Sequence, residues 1–512
     1  NNGVKIFAMG ANYIPEDQIV TRCNEEKTRK LLADCKAANY NFIRVWGGGY
    51  YPDEYFYDYC DENGIIVWQD FMFACSAYLL TEEFEETVRG EVRDNVIRLR
   101  NHPSLGLWCG NNEIESAWEY WGLPEDEEAK RDYLIIFEDI IPQVLKAYDP
   151  CENTFYWPSS PSSGGGFKDA SSNHAGDMHY WDVWHNFKPI EAFREFYYRF
   201  CSEYGFESLP DIKTCRAFAD ETKGDFDLCS PVMAAHQKCV QGNEKIMYYL
   251  AQMVRYPYDF KQLIYSSQLV QADCIRSNVE HMRRARGRCM GSAYWQVNDS
   301  NPVISWSSID YFGRWKGLHY YAKRFYAPCL ISCDDTHRKK PVLNISNERM
   351  TAFEGIVRWK LKNNKAEILQ SGEKSVSVPS LTAQNVLTID LSDELKNRID
   401  PREKYLEYSI MENGKVLSFG TTLFVRPKEF TFLEPAITYG ISESEDKFAL
   451  TFCAENYAKS VCLSLKTADC VFSDNWFDIH GKEPVTIMID KASLSRKMTA
   501  QELSEELEIM HN

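Results

Sequence analysis

Two stretches of this chain end an apolar run in a carboxylate. Leu105 to Glu113, LGLWCGNNE, closes on Gly110, Asn111, Asn112 and Glu113, and reads as a buried strand carrying two amides and an acid at its C-terminal tip. Phe200 to Glu207, FCSEYGFE, delivers Glu203 from a second short apolar segment. Either glutamate alone reads as an ordinary strand-end charge in water. Two of them on two strand ends suggest acid/base work, because carboxyls in different environments can divide the roles of proton donor and anion.

Other runs share this character: RVWGGG at Arg44 to Gly49, WQDF at Trp68 to Phe71, HYWDVWH at His179 to His185, SEYGFES at Ser202 to Ser208 and YWQVND at Tyr294 to Asp299. Together with GNNE at Gly110 to Glu113, they resemble the catalytic region of β-mannosidases, in the glycoside hydrolase family that also contains β-galactosidases and β-glucuronidases. The match runs over about the first 330 residues and continues more faintly to the end, with the six motifs in the family's order. The resemblance implies a retaining, exo-acting hydrolase that removes terminal β-D-mannose, with Glu113 as general acid/base and Glu203 as nucleophile. Residue types alone do not say which glutamate does which. Retention follows if the carboxyls lie about 5 to 5.5 Å apart, and inversion if they lie roughly 6.5 to 9.5 Å apart.

The same resemblance gives roles to the neighbours. Asn112 is placed to bond the sugar 2-OH or the nucleophile, or else to satisfy backbone at a strand end. Arg44 can only donate and could hold Glu203 ionised, as an ordinary strand-end ion pair also would. Tyr180 would donate to Glu203 as well. Trp46, Trp121 and Trp295 would wall the sugar pocket, with Trp295 as its floor and core packing as the alternative for each. Asp70 and His179 would orient these groups. Within the enzyme class, the alternative is another β-linked sugar, such as a glucosaminide or galactoside. Outside it, the alternative is a carbohydrate-binding fragment without turnover.

Composition narrows the partners. Acidic residues outnumber basic ones by 75 to 57, a formal net charge of -18, which disfavours nucleic acid and anionic membrane and suits a neutral substrate. No apolar run approaches a membrane span. The 17 Cys show neither a C-x-x-C pair nor a Cys/His metal spacing, and no His pair accompanies the carboxylates, so no metal and no cofactor is expected. Buried free thiols and the absence of a visible signal peptide point to a reducing, cytoplasmic location of bacterial type. Related enzymes carry β-domains ahead of the barrel, and one of these reaches the sugar. Nothing before Val4 can supply them. The expectation is a C-terminal portion of a longer enzyme, catalytically impaired without those N-terminal partners.

The elements that would position the motifs alternate. Apolar strands start near Val4, Asn41, Ile65, Leu105, Thr154, Asp177, Phe200 and Cys289, separated by helical patterns such as Glu25–Asn39, Asp53–Asn63 and Glu82–Arg100. Eight such alternations predict a (β/α)8 barrel over residues 1–335, with Glu113 on strand four and Glu203 on strand seven. The pair is 90 residues apart, which fits three βα units of about 30 residues each. Ser159 to Gly176, SSPSSGGGFKDASSNHAG, would be a lid, a pocket wall or disordered surface. Short alternating stretches with Asn-Asn, Ser-Gly and Asn-Gly turns then predict two Ig-like β-sandwiches, at 336–427 and 428–512. A short acidic helix over Thr499 to Ile509 would end the chain.

Overall fold

The computed structural model describes residues 3–122, 126–151 and 154–512. Contacts divide the chain into two compact units. One comprises residues 6–206 and 287–301, the other residues 1–5, 207–286 and 302–512.

The first unit holds eight parallel strands: β1 (Ala8–Tyr13), β2 (Phe42–Val45), β3 (Ile66–Asp70), β4 (Leu105–Cys109), β5 (Tyr156–Trp157), β6 (Met178–His179), β7 (Cys201–Glu203) and β8 (Gly291–Tyr294). Their order is β5-β4-β3-β2-β1-β8-β7-β6, so the sheet curls round until the first strand pairs with both the second and the last. This is the curled parallel sheet of a TIM-like barrel. No ladder joins β5 to β6 among the described residues. Both strands are only two residues long, and the Ser/Gly loop joins them where a barrel of this kind ordinarily has a helix.

Helices follow where capping and spacing dictate. Asn24 accepts from the Lys27 amide at 3.0 Å and starts α1 (Glu25–Ala37), which buries Leu31, Leu32 and Cys35. Next, α2 (Glu54–Asn63) stops at Gly64, whose φ of 65° is a left-handed cap. In α3 (Glu82–Leu99), capped by Thr81, Val88, Val92 and Val96 recur every four residues and are buried. The short α4 (Ile114–Tyr120) begins directly after Glu113.

Period two along the strands sets the barrel interior and the site above it. Phe42 and Trp68 meet edge-to-face at 6.3 Å inside the barrel, with Phe200 5.7 Å from each. Two residues further along the same faces come Arg44 and Asp70, both fully buried. An apolar plug therefore underlies a charged layer at the C-terminal strand ends, where such folds keep their chemistry.

The Ser/Gly loop is tied down rather than loose. Ser159 Oγ donates to Asn111 Oδ1 at 2.7 Å, and the amides of Gly166, Phe167 and Ala170 donate to Glu138, Glu115 and Glu119 at 2.6 to 2.7 Å.

The second unit carries helices Gly242–Met253, Phe260–Arg284 and Gly317–Phe325 and four antiparallel sheets. Seven strands build the first sandwich: β9 (Cys329–Asp334), β10 (Val342–Asn347), β11 (Phe353–Asn363), β12 (Ile368–Val378), β13 (Thr382–Thr388), β14 (Lys404–Glu412) and β15 (Lys415–Leu423). They pair as β13-β10-β9 and β12-β11-β14-β15 around a core that includes Ile331, Leu343, Phe353, Val357, Leu406 and Ile410. The second set is β16 (Thr438–Glu443), β17 (Lys447–Cys453), β18 (Tyr457–Leu465), β19 (Phe477–His480), β20 (Val485–Asp490) and β21 (Leu507–Met510), paired β16-β17-β20 and β19-β18-β21. Phe448, Leu450 and Phe452 of β17 are buried while the residues between them are not, the pattern of a half-buried strand. The acidic terminal helix ends at Glu506, earlier than the sequence pattern predicts, because Leu507–Met510 pairs with β18 instead. No helix among the described residues is long and apolar enough to cross a membrane.

Candidate active site

Arg44 stands at the centre of the charged layer. Its Nη1 donates to Glu203 Oε1 at 2.7 Å and to Asn12 Oδ1 at 3.1 Å. Its Nη2 donates to Asp70 Oδ2 at 2.8 Å and to Asn112 Oδ1 at 2.7 Å. Asp70 is itself fixed by the Trp68 indole at 2.8 Å and by the Gly47 amide at 3.0 Å. Burial works against the guanidinium charge, but Asp70 and Glu203 outweigh it and keep Arg44 protonated.

Glu113 reaches the same space from an unusual backbone. Its φ of 61° is left-handed, a conformation that costs a non-glycine residue roughly 1–2 kcal/mol. Bonds around it hold it there: the Glu113 amide donates to Ser160 O at 2.8 Å, and Asn111 Oδ1 caps the Ile114 amide at 3.1 Å. The turn lets the chain leave β4, aim one carboxylate over the barrel and start α4.

Between the two acids lies His179. Its Nδ1 is 2.7 Å from Glu113 Oε1 and 3.4 Å from Glu203 Oε2. One ligand atom of each of the three residues lies within 4.8 Å of the others. The same trio could hold a cation, as could the more exposed set Asp58, Asp61 and His102.

Hydrogen bonding places the proton in this trio. Asp177 Oδ2 lies 2.7 Å from Ser160 Oγ and 2.5 Å from Ser202 Oγ, while its Oδ1 accepts from the Trp157 indole and the Ser162 amide. A carboxylate only accepts, so the Ser160 hydroxyl donates to it. Ser160 Oγ is left to accept from His179 Nε2, 3.0 Å away. Burial, above all, pushes His179 down to about 4, so at neutral pH the ring is uncharged and its one proton sits on Nε2. Nδ1 is then an acceptor, which favours a proton on Glu113 Oε1, 2.7 Å away.

Burial pushes both Glu113 and Glu203 up to about 7. At this separation they behave as one pair, which near neutrality holds one shared proton. The Arg44 contact favours the anion on Glu203, and the histidine acceptor favours the acid form of Glu113. The arrangement can set a proton donor beside a carboxylate, with an oxygen of each within 4.8 Å of the other.

The chain's relatives bear on the same point. Residues 340–429 match the family described as Mannosidase Ig/CBM-like domain, and residues 432–512 match an Ig-fold domain. Beta-mannosidase B of Aspergillus terreus is 32% identical over 518 residues, covering 95% of this chain and 60% of the relative. Beta-mannosidase B of Aspergillus fumigatus is 36% identical over 434 residues, or 82% and 48%. The crystal structure of a β-D-mannosidase from Dictyoglomus thermophilum superposes with a TM-score of 0.91 at 30% identity, over 100% of this chain and 60% of that one. The chain is a β-mannosidase-like protein. It spans about 60% of the length of several of the relatives it matches.

Of the residues singled out in the sequence, the structure brings Arg44, Asp70, Asn112, Glu113, His179 and Glu203 together. Trp46 and Trp295 meet edge-to-face with ring centroids 5.0 Å apart, both half-buried. Gly48 makes room for this pair, since a Cβ there would stand 1.9 Å from the Trp46 ring. Trp121 is 51% exposed at the end of α4 and pairs with no aromatic ring among the described residues, so core packing does not explain it.

Tyr180 is corrected. Its hydroxyl is buried without a hydrogen-bond partner among the described residues, and its ring packs on Phe193, Phe196 and Tyr198. His179 points into the barrel, so the next residue along the strand points out of it. Only the Tyr180 amide touches the nucleophile candidate's residue, donating to Glu203 O at 2.8 Å.

Sequence reasoning missed Asn12, Cys75, Ser160, Asp177 and Ser202. Asn12, a strand-end amide like Asn112, carried the one usable signal. Cys75 Sγ lies 3.7 Å from Glu113 Oε2 and 3.4 Å from Asn112 Nδ2.

Proposed function

We propose that the protein is a retaining exo-β-mannosidase, acting by double displacement with Glu113 as acid/base and Glu203 as nucleophile. The observation that carries this reading is the convergence of Glu113 and an Arg44-bound Glu203 on His179, with carboxylate oxygens within 4.8 Å. Retaining enzymes hold their carboxyls about 5–5.5 Å apart, and inverting enzymes need roughly 6.5–9.5 Å to seat a water between them. Such close acids favour direct attack.

In the first step Glu113 protonates the glycosidic oxygen while a Glu203 oxygen bonds to the anomeric carbon, and the aglycone leaves. Losing its proton makes Glu113 a base. It then takes a proton from water, whose oxygen attacks the same carbon and releases Glu203. Asn112 is held through its Oδ1 by Arg44, and its Nδ2, 3.4 Å from Cys75 Sγ, has a second N–H with which to bond the sugar 2-OH. Trp46 and Trp295 offer ring surface for the sugar's C–H face. The mannoside assignment rests on the names of the relatives.

The test is a 2-deoxy-2-fluoro-β-mannosyl fluoride. Covalent labelling of Glu203 and faster turnover of p-nitrophenyl β-mannoside than of the matching glucosaminide or galactoside are expected. Tight binding with neither label nor turnover would make the chain a carbohydrate-binding protein. Preference for another glycoside would move it to that sugar.

A further inference from the structure

The loop after β3 brings a thiol to the two acids. Cys75 is held there by its amide, which donates to Asn112 O at 2.9 Å, and its Sγ stands 3.7 Å from Glu113 Oε2. His179 Nδ1 and Glu203 Oε2 lie 3.4 Å apart on the other side of Glu113. One sulfur, one imidazole nitrogen and two carboxylates therefore meet past the ends of β3, β4, β6 and β7. No spacing in the sequence announces this set, because its members arrive from four separate strand ends. Sulfur and imidazole beside carboxylate are donors for zinc, whereas magnesium and calcium take oxygen.

The separations fit that ion. A tetrahedral zinc with bonds of about 2.0–2.1 Å to nitrogen and oxygen and about 2.3 Å to sulfur keeps neighbouring N and O donors about 3.3 Å apart, and S and O about 3.6 Å apart. The His179–Glu203 distance of 3.4 Å and the Cys75–Glu113 distance of 3.7 Å match those two edges. The contact of His179 Nδ1 with Glu113 Oε1, at 2.7 Å, is shorter, as befits a hydrogen bond whose proton a metal would displace.

His179 is already oriented as a ligand. Its ring proton goes from Nε2 to Ser160 Oγ at 3.0 Å, and Ser160 donates onward to Asp177 Oδ2 at 2.7 Å, so Nδ1 presents its lone pair. Metal-bound histidines are ordinarily fixed in this way, by a hydrogen bond from the other ring nitrogen. The set Asp58, Asp61 and His102 lacks this feature. Both ring nitrogens of His102 face carboxylates, Asp61 at 2.7 Å and Glu54 at 3.1 Å.

Charge and access agree. Arg44, in contact with Glu203, opposes a second cation, but Asp70 offsets it at 2.8 Å. Glu113, Glu203 and the Cys75 sulfur are left to balance two positive charges, and Cys75 is exposed, which gives the ion a way in from solvent.

We propose that Cys75, Glu113, His179 and Glu203 form a zinc site at the barrel mouth, and that a bound zinc ion shuts the sugar out. On binding, the Cys75 thiol and the Glu113–Glu203 pair release their protons to solvent. Inhibition rests on the catalytic reading of the two glutamates; binding does not.

Calorimetric titration of the chain with zinc chloride, in a buffer free of thiols and chelators, should show saturable binding that magnesium chloride does not reproduce. Zinc should raise KM for p-nitrophenyl β-mannoside and leave kcat unchanged. Cys75→Ser should weaken zinc roughly tenfold or more, both in binding and in inhibition measured against that variant's own uninhibited rate. His102→Gln should leave both unchanged. Cobalt(II) in place of zinc should give a sulfur-to-metal charge-transfer band that Cys75→Ser lacks. In the unaltered protein, zinc should protect Cys75 from iodoacetamide while Cys229 goes on reacting. Turnover of the mannoside without zinc binding, zinc affinity equal in Cys75→Ser, a lowered kcat at constant KM, or no protection of Cys75 would overturn the proposal. Zinc binding with these properties in a chain that hydrolyses no mannoside would support the site and overturn only the catalytic reading.

Discussion

At the scale of single residues, the tautomer of His179 decides how the two acids divide their proton. Ser160 is the lever, because its oxygen is the acceptor that keeps the ring proton on Nε2. In Ser160→Ala that acceptor is gone and the ring can carry its proton on Nδ1, facing Glu113. The acid form of Glu113 loses an acceptor and its anion gains a donor, so its pKa falls. The alkaline limb of kcat/KM should move down by about one pH unit, the worth of one such bond at ~1.4 kcal/mol. An unmoved limb would reverse the assignment of the ring proton. Stability carries a second signature. The folded value of Glu113, about 7, lies above the roughly 4.3 of an unfolded glutamate, so the folded state holds the extra proton between those values. Its contribution to stability is therefore present at low pH and lost as pH rises through about 7. His179, displaced the other way to about 4, gains stability between about 4 and 6.5, and does so in both proteins being compared. The Tm of Glu113→Gln minus that of the parent should grow from pH 5 to pH 8, and a difference that shrinks over this range would contradict the buried pair.

At the scale of elements, strand tips were legible and loops were not. GNNE and RVWGGG announce themselves because an apolar strand ends at once in polar or glycine residues, and both motifs stand over the barrel interior. The glycines have a visible cause: Gly48 lies under the Trp46 ring, where even a methyl group cannot fit. Gly48→Ala should therefore displace that ring, raise KM for the mannoside about tenfold, the worth of an aromatic contact of ~1–1.5 kcal/mol, and leave Tm nearly unchanged because Gly48 itself is exposed. An unchanged KM would remove Trp46 from the sugar's surroundings. Tyr180 was misplaced because β6 is two residues long and HYWDVWH shows no alternation from which to read its facing. Asp177 and Ser160 were invisible for another reason, since they meet only when an aperiodic loop folds back on itself. The tail was misread because Leu503 and Leu507, four apart, satisfy helical spacing equally well, whereas the partner of Leu507–Met510 lies far upstream in β18.

At the scale of the whole molecule, the cysteines tie architecture to reactivity. All 17 are free and nine of them are buried, so the fold draws nothing from cross-links. Titration with a thiol reagent in denaturant, without reductant, should find 17 thiols, and reductant should leave Tm unchanged. In the folded protein Cys151 and Cys229 are exposed and should react first, with no effect on turnover. Cys75 is exposed too, but burial of its sulfur and the neighbouring Glu113 push its thiol up to about 12, so little thiolate forms and its reaction should lag. When it does react, the adduct stands 3.7 Å or less from Glu113 and should abolish turnover, at a rate that a bound mannoside slows. Inactivation that tracks the fast phase instead would place the sensitive thiol outside the barrel mouth, and fewer than 17 thiols in denaturant would reveal a cross-link that the fold does not contain.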